Sequence, residues 1–354
     1  MTKRTCMLLL AAILIVAAVW GVGCTEPSAD APSSTAPGST LAPASSATVA
    51  AAPSPTITST TLPRAPSTTT ATTEPAPILP LEFDSELAME HIRKLAKDIG
   101  IRPGGSEAEN EALAYAASYL TGLGYDPVIT EVPLPDGKTS HNLTVVKPGR
   151  LPLAIAIGGH LDTKKTTPGA NDDASGVAAV LELARDVAEA DVVPTIYFIC
   201  FGTEEIIDSN DEHHHYGSRA WVKEMKADQR ESLAAMISLD MIAYGQTFHV
   251  RTMGKGPRTL RDMLQTEAEA QDVDLVYLKD PGASGYSDHE PFELAGYPAA
   301  WLQWRVDPTY HKMGDTYEHC SEKALNVAGD FLQRFLTELS EQDLEELHAA
   351  VTPR

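Results

Sequence analysis

The sequence predicts an α/β fold: a single three-layer domain with a mostly parallel, mixed sheet flanked by helices. Two observations carry this expectation. The continuously apolar run 195–201 (TIYFICF) reads as a strand buried on both faces, and residues 234–241 (AAMISLDM) read as another buried strand. Segments with apolar residues at helical spacing lie between the strands, and strands that alternate with helices pair largely in parallel. No repeat interrupts the order.

The first 80 residues are of another kind. Lys3 and Arg4 precede an apolar run, residues 7–22, too short and too close to the start for a membrane span. Residues 1–24 therefore read as an export signal. It closes on Gly21-Val22-Gly23-Cys24, and small residues ahead of a cysteine resemble a bacterial lipoprotein cleavage site. Cys24 is then the expected lipid anchor, with the protein facing outward on the cell membrane; secretion after cleavage nearby and an uncleaved anchor are the alternatives. Residues 25–79 are mostly Ser, Thr, Ala and Pro, which bury too little apolar surface to offset the entropy of ordering. They read as a disordered tether. Residues 80–345 are left for the folded domain.

Charge divides the same way. Three basic residues (Lys3, Arg4, Arg64) and three acidic ones (Glu26, Asp30, Glu74) cancel before Leu81, so the net charge of −22 belongs to the domain. Such a surface argues against nucleic acid and anionic lipid as partners. Of the four cysteines, Cys6 falls in the signal and Cys200 in an apolar strand, where a buried thiol is the default. Export permits a Cys200–Cys320 disulfide, and the sequence leaves that pairing open.

In order, helices are expected over residues 87–99 and 107–123, joined by Arg102-Pro103-Gly104-Gly105-Ser106 with Ser106 and Glu109 in a capping-box pattern. Strands come next over 128–134 and 142–146. The run 153–157 ends in Gly158-Gly159-His160-Leu161-Asp162, a loop carries Asn171-Asp172-Asp173, and a helix begins at Gly176. Strand 195–201, helix 216–225, strands 234–241 and 248–252, a helix over 257–270 with Pro257 in its first turn, strands 275–278 and 298–304, and a helix over 323–339 complete the domain.

The rare residues sit at strand ends, where ligands gather in open α/β sheets. His160 and Asp162 lie two apart and share a side of an extended backbone, so one can bind a metal while the other fixes its ring. Glu204-Glu205 follow one strand, Asp240 ends another, and Tyr310-His311 follow a third. Imidazole and carboxylate donors suit zinc, and less well manganese or cobalt. Charge supports two ions: +4 is balanced by Asp172, Glu205, Asp240 and a bridging hydroxide, with His160 and His311 neutral. The loop residue Asp172 is the natural bridge. Glu204 is then a spare carboxylate suited to move a proton.

GGHLDT, PGANDDASG, FGTEE, ISLDM, SDHEPF and YHKMGDT stand in this order and at similar spacing in the double-zinc exopeptidase family, which this chain resembles over about residues 85–340. That family contains bacterial zinc aminopeptidases, glutamate carboxypeptidase-type enzymes and glutaminyl cyclases. The resemblance implies a zinc exopeptidase-like fold, a metallopeptidase catalytic domain over residues 80–345, and an aminopeptidase acting on peptides through a two-metal-activated hydroxide. It implies one zinc on His160, Asp172 and Asp240 and a second on Asp172, Glu205 and His311. Glu204 would be the general base, Asp162 the partner of His160, and Tyr310 a donor to the oxyanion. It also implies a cis peptide between Asp172 and Asp173. Two departures stand out. Residues 206–216 lengthen the loop ahead of Gly217-Ser218, and a loop ending Tyr-Gly-Ser-Arg is similar to the glutaminyl cyclase branch, the alternative reading; against that branch, Tyr310 precedes His311, as in the aminopeptidases the chain resembles. That loop holds His213-His214-His215, expected to be solvated. Side-chain preference and oligomeric state have no signal in the sequence.

Overall fold

The structure, a computed structural model, describes residues 82–208, 210 and 214–353. The expected signal, the tether, Cys24 and His213 lie outside the described residues. Eight strands form one sheet: β1 Val128–Pro133, β2 Thr139–Lys147, β3 Ala154–His160, β4 Thr195–Phe201, β5 Leu233–Leu239, β6 Thr247–Thr252, β7 Leu275–Lys279 and β8 Ala299–Arg305. Their spatial order is β1-β2-β4-β3-β5-β8-β6-β7. The central β4, β3, β5 and β8 are mutually parallel. Antiparallel pairings β1–β2, β2–β4 and β6–β8 bring in the flanks, and β6 pairs with β7 in parallel. The sheet is mixed, as the sequence predicts.

The helices are α1 Ser85–Ile92, which runs on to Ile99 as a wider π-helical stretch, α2 Glu107–Gly122, α3 Ser175–Val187, α4 Tyr216–Glu224, α5 Ala227–Ser232, α6 Thr259–Ala270, α7 His289–Leu294, α8 Glu322–Glu338 and α9 Glu341–Ala349. Every residue of β3 and β5 is buried, because side chains alternate into two cores. Ile155, Ile157, Phe198 and Ile237 meet α1, α2, α3 and α8 on one face. Ala156, Ile199, Phe201 and Met236 meet Trp221 of α4 and Phe292 of α7 on the other. This is the three-layer arrangement.

The structure corrects several boundaries. Helix α6 begins at Thr259, so Pro257 precedes it. β5 stops at Leu239, which leaves Asp240 just past its end. The six-residue α5 and α7 are too short for periodicity to reveal. Helix α9 buries Leu344 and Leu347, so the packed chain continues past residue 345. Ser106 caps α2 through Glu109 N–H, but the Glu109 carboxylate does not return to Ser106 N–H as a capping box requires. It goes to the Gly105 amide. Cys200 and Cys320 are both free thiols, and burial pushes Cys200 up to about 12. Among the described residues no helix is long and apolar enough to cross a membrane.

Candidate metal centre

Because β3, β4, β5 and β8 are parallel, the residues at and just beyond their carboxyl ends gather on one edge of the sheet. His160 closes β3, Glu204 and Glu205 follow β4, Asp240 follows β5, and Tyr310 and His311 lie on the loop after β8. Asp172 comes from the turn ahead of α3, where the Asp172–Asp173 peptide is cis. Two glycines let this turn sit low. A Cβ on Gly159 would stand 2.8 Å from Asp173 Oδ2, and one on Gly176 would stand 2.0 Å from the Leu239 carbonyl oxygen. No larger residue fits at either place.

Asp172 lies between two imidazoles. Its Oδ1 is 3.3 Å from His160 Nε2, and its Oδ2 is 3.2 Å from His311 Nε2. His311 Nε2 is also 3.1 Å from Glu205 Oε1. The donor atoms of Asp172, Glu205 and His311 lie within 4.8 Å of one another, as do those of His160, Asp173 and Asp240. Asp173 is the less suitable ligand of that second group. Its oxygens already accept the backbone amides of His160 (3.0 Å), Gly176 (2.8 Å) and Met241 (3.3 Å). Asp240 Oδ1 has no hydrogen-bond partner, and neither do His160 Nε2, Asp172 Oδ2 and Glu205 Oε1, all buried. Buried polar atoms are rarely left so. Metal–donor bonds of 2.0–2.1 Å at a tetrahedral ion put donors about 3.3 Å apart, so the residues present fit a zinc-like ion.

Charge leads to the same place. Burial alone would make His160 and His311 less basic. Instead Asp162 and Asp172 hold His160 well above its usual value, and Asp172 and Glu205 hold His311 up at about 9. Burial and neighbouring carboxylates raise Asp240 and Glu205. Protons here stand where cations would relieve the same repulsion.

Several residues hold the ligands. His160 Nδ1 is 3.1 Å from the carbonyl oxygen of Asp162 and 3.3 Å from its carboxylate. That carboxylate also accepts the amides of Glu204 (2.8 Å) and Glu205 (3.3 Å), so Asp162 sets two strand ends at once. Sequence reasoning missed the rest. Asp315 accepts the Asn171 and Asp172 amides at 2.7 and 3.1 Å. Arg102, fully buried, donates to the carbonyls of Leu95, Gly100, Leu161, Pro168 and Gly169, framing the loop ahead of Asp172. Glu109 accepts from Thr203, next to Glu204, and from Ser140; burial and the Asp162 charge push it up to about 7. Lys164 Nζ is 3.0 Å from Glu205 Oε2. The signal for Asp315 was present, since it lies in the GDT of YHKMGDT. Nothing local distinguishes Arg102 or Glu109.

The expected solvated histidine loop is corrected at two of its three positions. His214 and His215 are 7% and 2% exposed, and His215 Nε2 is 2.8 Å from Glu204 Oε1. Burial would raise Glu204, but His215 and His160 hold it down at about 2. Tyr310 stacks on His311 with ring centroids 3.7 Å apart. With Tyr286 it lines both a cavity of about 390 Å³ over Glu204, Glu205 and His311 and an apolar one of about 520 Å³ bordered by Met241 and Trp301.

An acidic and imidazole cluster at the carboxyl edge of such a sheet makes this an α/β protein with a candidate metal centre. A profile of peptidase family M28 matches residues 142–336, more than half of the chain, and the chain belongs to that family. It is 30% identical over 210 residues to aminopeptidase YwaD of Bacillus subtilis (strain 168), 55% of this chain and 44% of that protein. It is 28% identical over 225 residues to the probable lipoprotein aminopeptidase LpqL of Mycobacterium tuberculosis, 54% and 44% of the two. The chain thus spans under half the length of these curated relatives. Among solved structures, BSAP, a zinc aminopeptidase from Bacillus subtilis, superposes with a TM-score of 0.65 at 20% identity, covering 73% of this chain and 96% of that one. A Bacteroides thetaiotaomicron glutaminyl cyclase does so with 0.63 at 19% identity, covering 73% and 99%. At these identities the likeness is one of fold.

Proposed function

We propose that this chain is a metal-dependent aminopeptidase that hydrolyses the first peptide bond of peptides, releasing the N-terminal residue. The observation that carries it is Asp172, whose two oxygens each face one imidazole, with Glu205 grouped beside His311 and Asp240 grouped beside His160. In this reading His160, Asp172 and Asp240 hold one divalent ion and Asp172, Glu205 and His311 a second. Zinc fits best, with manganese or cobalt as substitutes. Bound ions supply Lewis-acid polarisation of the scissile carbonyl and make a water more acidic. The chain's own groups do the rest. Glu204 takes a proton from the attacking water and passes it to the leaving amine. The Tyr310 hydroxyl donates a hydrogen bond to the oxyanion. The amine end sits near the cluster, and the apolar cavity beyond Tyr310 receives the side chain.

Two measurements test this. Incubation with a peptide panel should release free N-terminal amino acids. Glutaminyl cyclisation is the second reading, favoured by the long loop ahead of Tyr216, and pyroglutamate formation without amino acid release would replace the first. Glu204→Gln should retain wild-type metal content and lose roughly 10²–10⁴-fold in turnover. If its metal content drops instead, Glu204 is a ligand and the assignment is wrong.

The sequence before Pro80 extends the proposal. A lipobox-like end at Cys24, together with likeness to a relative named a lipoprotein aminopeptidase, supports an exported enzyme tethered to the membrane by lipid. Cys24→Ser should shift the protein from the membrane fraction to the medium or leave an uncleaved precursor. Unchanged processing and membrane association would contradict the anchor.

A further inference from the structure

We propose that His215 is a positioning residue that aims the Glu204 carboxylate at the metal cluster. The inference rests on the reading of Glu204 as the proton carrier. Its basis is the way the chain returns to the site. After Glu205 the chain leaves the sheet edge, and it comes back at His215 and Tyr216. Their amides donate to the carbonyls of Glu204 (2.7 Å) and Thr203 (2.8 Å). These two bonds close the neck of the loop directly against Glu204. His215 takes a left-handed backbone conformation there, with φ 54°. A side chain is placed under Glu204 at the cost of a conformation that L residues seldom adopt.

The imidazole is boxed on every side. Nε2 meets Glu204 Oε1 at 2.8 Å, and Nδ1 faces Glu290 Oε1 at 3.8 Å. Glu290 is itself pinned by Arg219 Nη2 at 2.7 Å and by the Gly285 amide. His214 packs edge-on against the ring, centroids 4.1 Å apart at 85°. The ring has no room to swing, so it fixes one oxygen of Glu204. The other oxygen is left facing the ligands, with Oε2 3.9 Å from His160 Nε2. That is the arrangement a proton carrier needs: one oxygen held, the other turned to the reacting water. Without the imidazole, nearby carboxylates such as Asp172 would push the flexible Glu204 side chain away from the cluster.

His214, His215 and Glu290 also lie close enough to hold an ion of their own, with donor atoms within 4.8 Å. Arg219 already supplies a cation to Glu290 Oε1, the oxygen that faces His215 Nδ1, which favours the positioning role.

The test uses the full chain and four variants: His215→Ala, His215→Gln, Glu204→Gln, and the His215→Ala/Glu204→Gln double variant. His215→Ala should lower kcat about 10- to 100-fold with KM and metal content unchanged, the usual cost of losing the group that orients a reacting residue. His215→Gln keeps an amide donor near the Nε2 position and should recover most of that loss. The double variant should be no slower than Glu204→Gln alone. A crystal structure of His215→Ala should show Glu204 turned away from His160 or in several rotamers. Wild-type kcat in His215→Ala, an unmoved Glu204, or an additive double variant would overturn the proposal. Loss of a metal equivalent in His215→Ala would make His215 a ligand instead. If His215→Ala does not fold, His215→Gln carries the test: near-wild-type kcat with Glu204 in place supports positioning, and a loss as deep as that of Glu204→Gln opposes it. Wild-type turnover in Glu204→Gln would refute the proton-carrier reading itself, whatever His215 does.

Discussion

The two histidines that flank Asp172 are held by opposite means. His160 closes a strand paired on both sides, is 1% exposed, and has its Nδ1 fixed by Asp162. His311 sits on a loop, its side chain 29% exposed, with a left-handed φ of 57°. Its carbonyl accepts from Thr166, and its ring leans on Tyr310. One imidazole is fixed by a strand and a buried carboxylate; the other is held from a loop by Tyr310, Asp172 and Glu205. A site built on a strand pays less ordering entropy than one completed by a loop, so the two halves of the cluster should differ in affinity.

Removing each histidine sharpens that contrast most. His311→Ala should cost one metal equivalent, the one a chelator strips first from the wild type, and leave the other bound. His160→Ala should remove the tightly held equivalent and also loosen Asp172, which loses one of its two imidazole neighbours. Metal per chain, followed through a chelator titration, reads both. Release of both equivalents in a single step from the wild type would show the halves to be equal and end the comparison.

Acidity offers a second handle. Metal binding requires neutral imidazole, and His311 without metal holds its proton up to about 9, because Asp172 and Glu205 outweigh burial. A raised value means the proton competes with the ion over the whole neutral range. Affinity at the His311 half should therefore climb with pH, about tenfold per unit for one released proton, and level off above about 9. A flat profile between pH 6 and 8 would mean that the proton is already gone and that the pairing with Asp172 and Glu205 is weaker than the geometry suggests.

The contrast also marks what the sequence could tell. His160, Glu204, Glu205 and Asp240 could be placed because each lies at or just past the end of a buried strand, and parallel strands end at one edge. Asp172 and His311 lie on loops, where only charge balance and the order of motifs pointed to them. His215 was misread. A run of three histidines in a polar stretch has the composition of a solvated loop, and only the return of the chain at Glu204 and Thr203 buries it. Arg102 and Glu109 were invisible for a related reason. The Arg102 guanidinium donates to backbone carbonyls, which leave no mark in residue type, and Glu109 reaches the site through Ser140 and Thr203, far along the chain. The fold was clearer than the site, since buried strands declare themselves by composition. Short or polar helices such as α5, α7 and α9 do not.

Asp315 gives the smallest effect and the one that best separates shared from separate support. It accepts the amides of Asn171 and Asp172 and touches neither imidazole. Asn171 is tied further to Asp307 and to the carbonyl of Tyr244, so this segment of the turn is held from several elements. In the proposed two-ion reading Asp172 is common to both halves of the cluster. Support lost from its backbone should weaken both ions by a similar factor, unlike either histidine change. Asp315→Ala should lower metal affinity about 10- to 100-fold, the range found when a ligand loses the group that orients it. Both steps of the chelator titration should shift together. Displacement of only one step would mean that Asp315 serves a single half and that Asp172 is not shared. Displacement of neither, with the fold intact by circular dichroism, would mean that Asn171, Arg102 and the packing of α3 hold Asp172 without it.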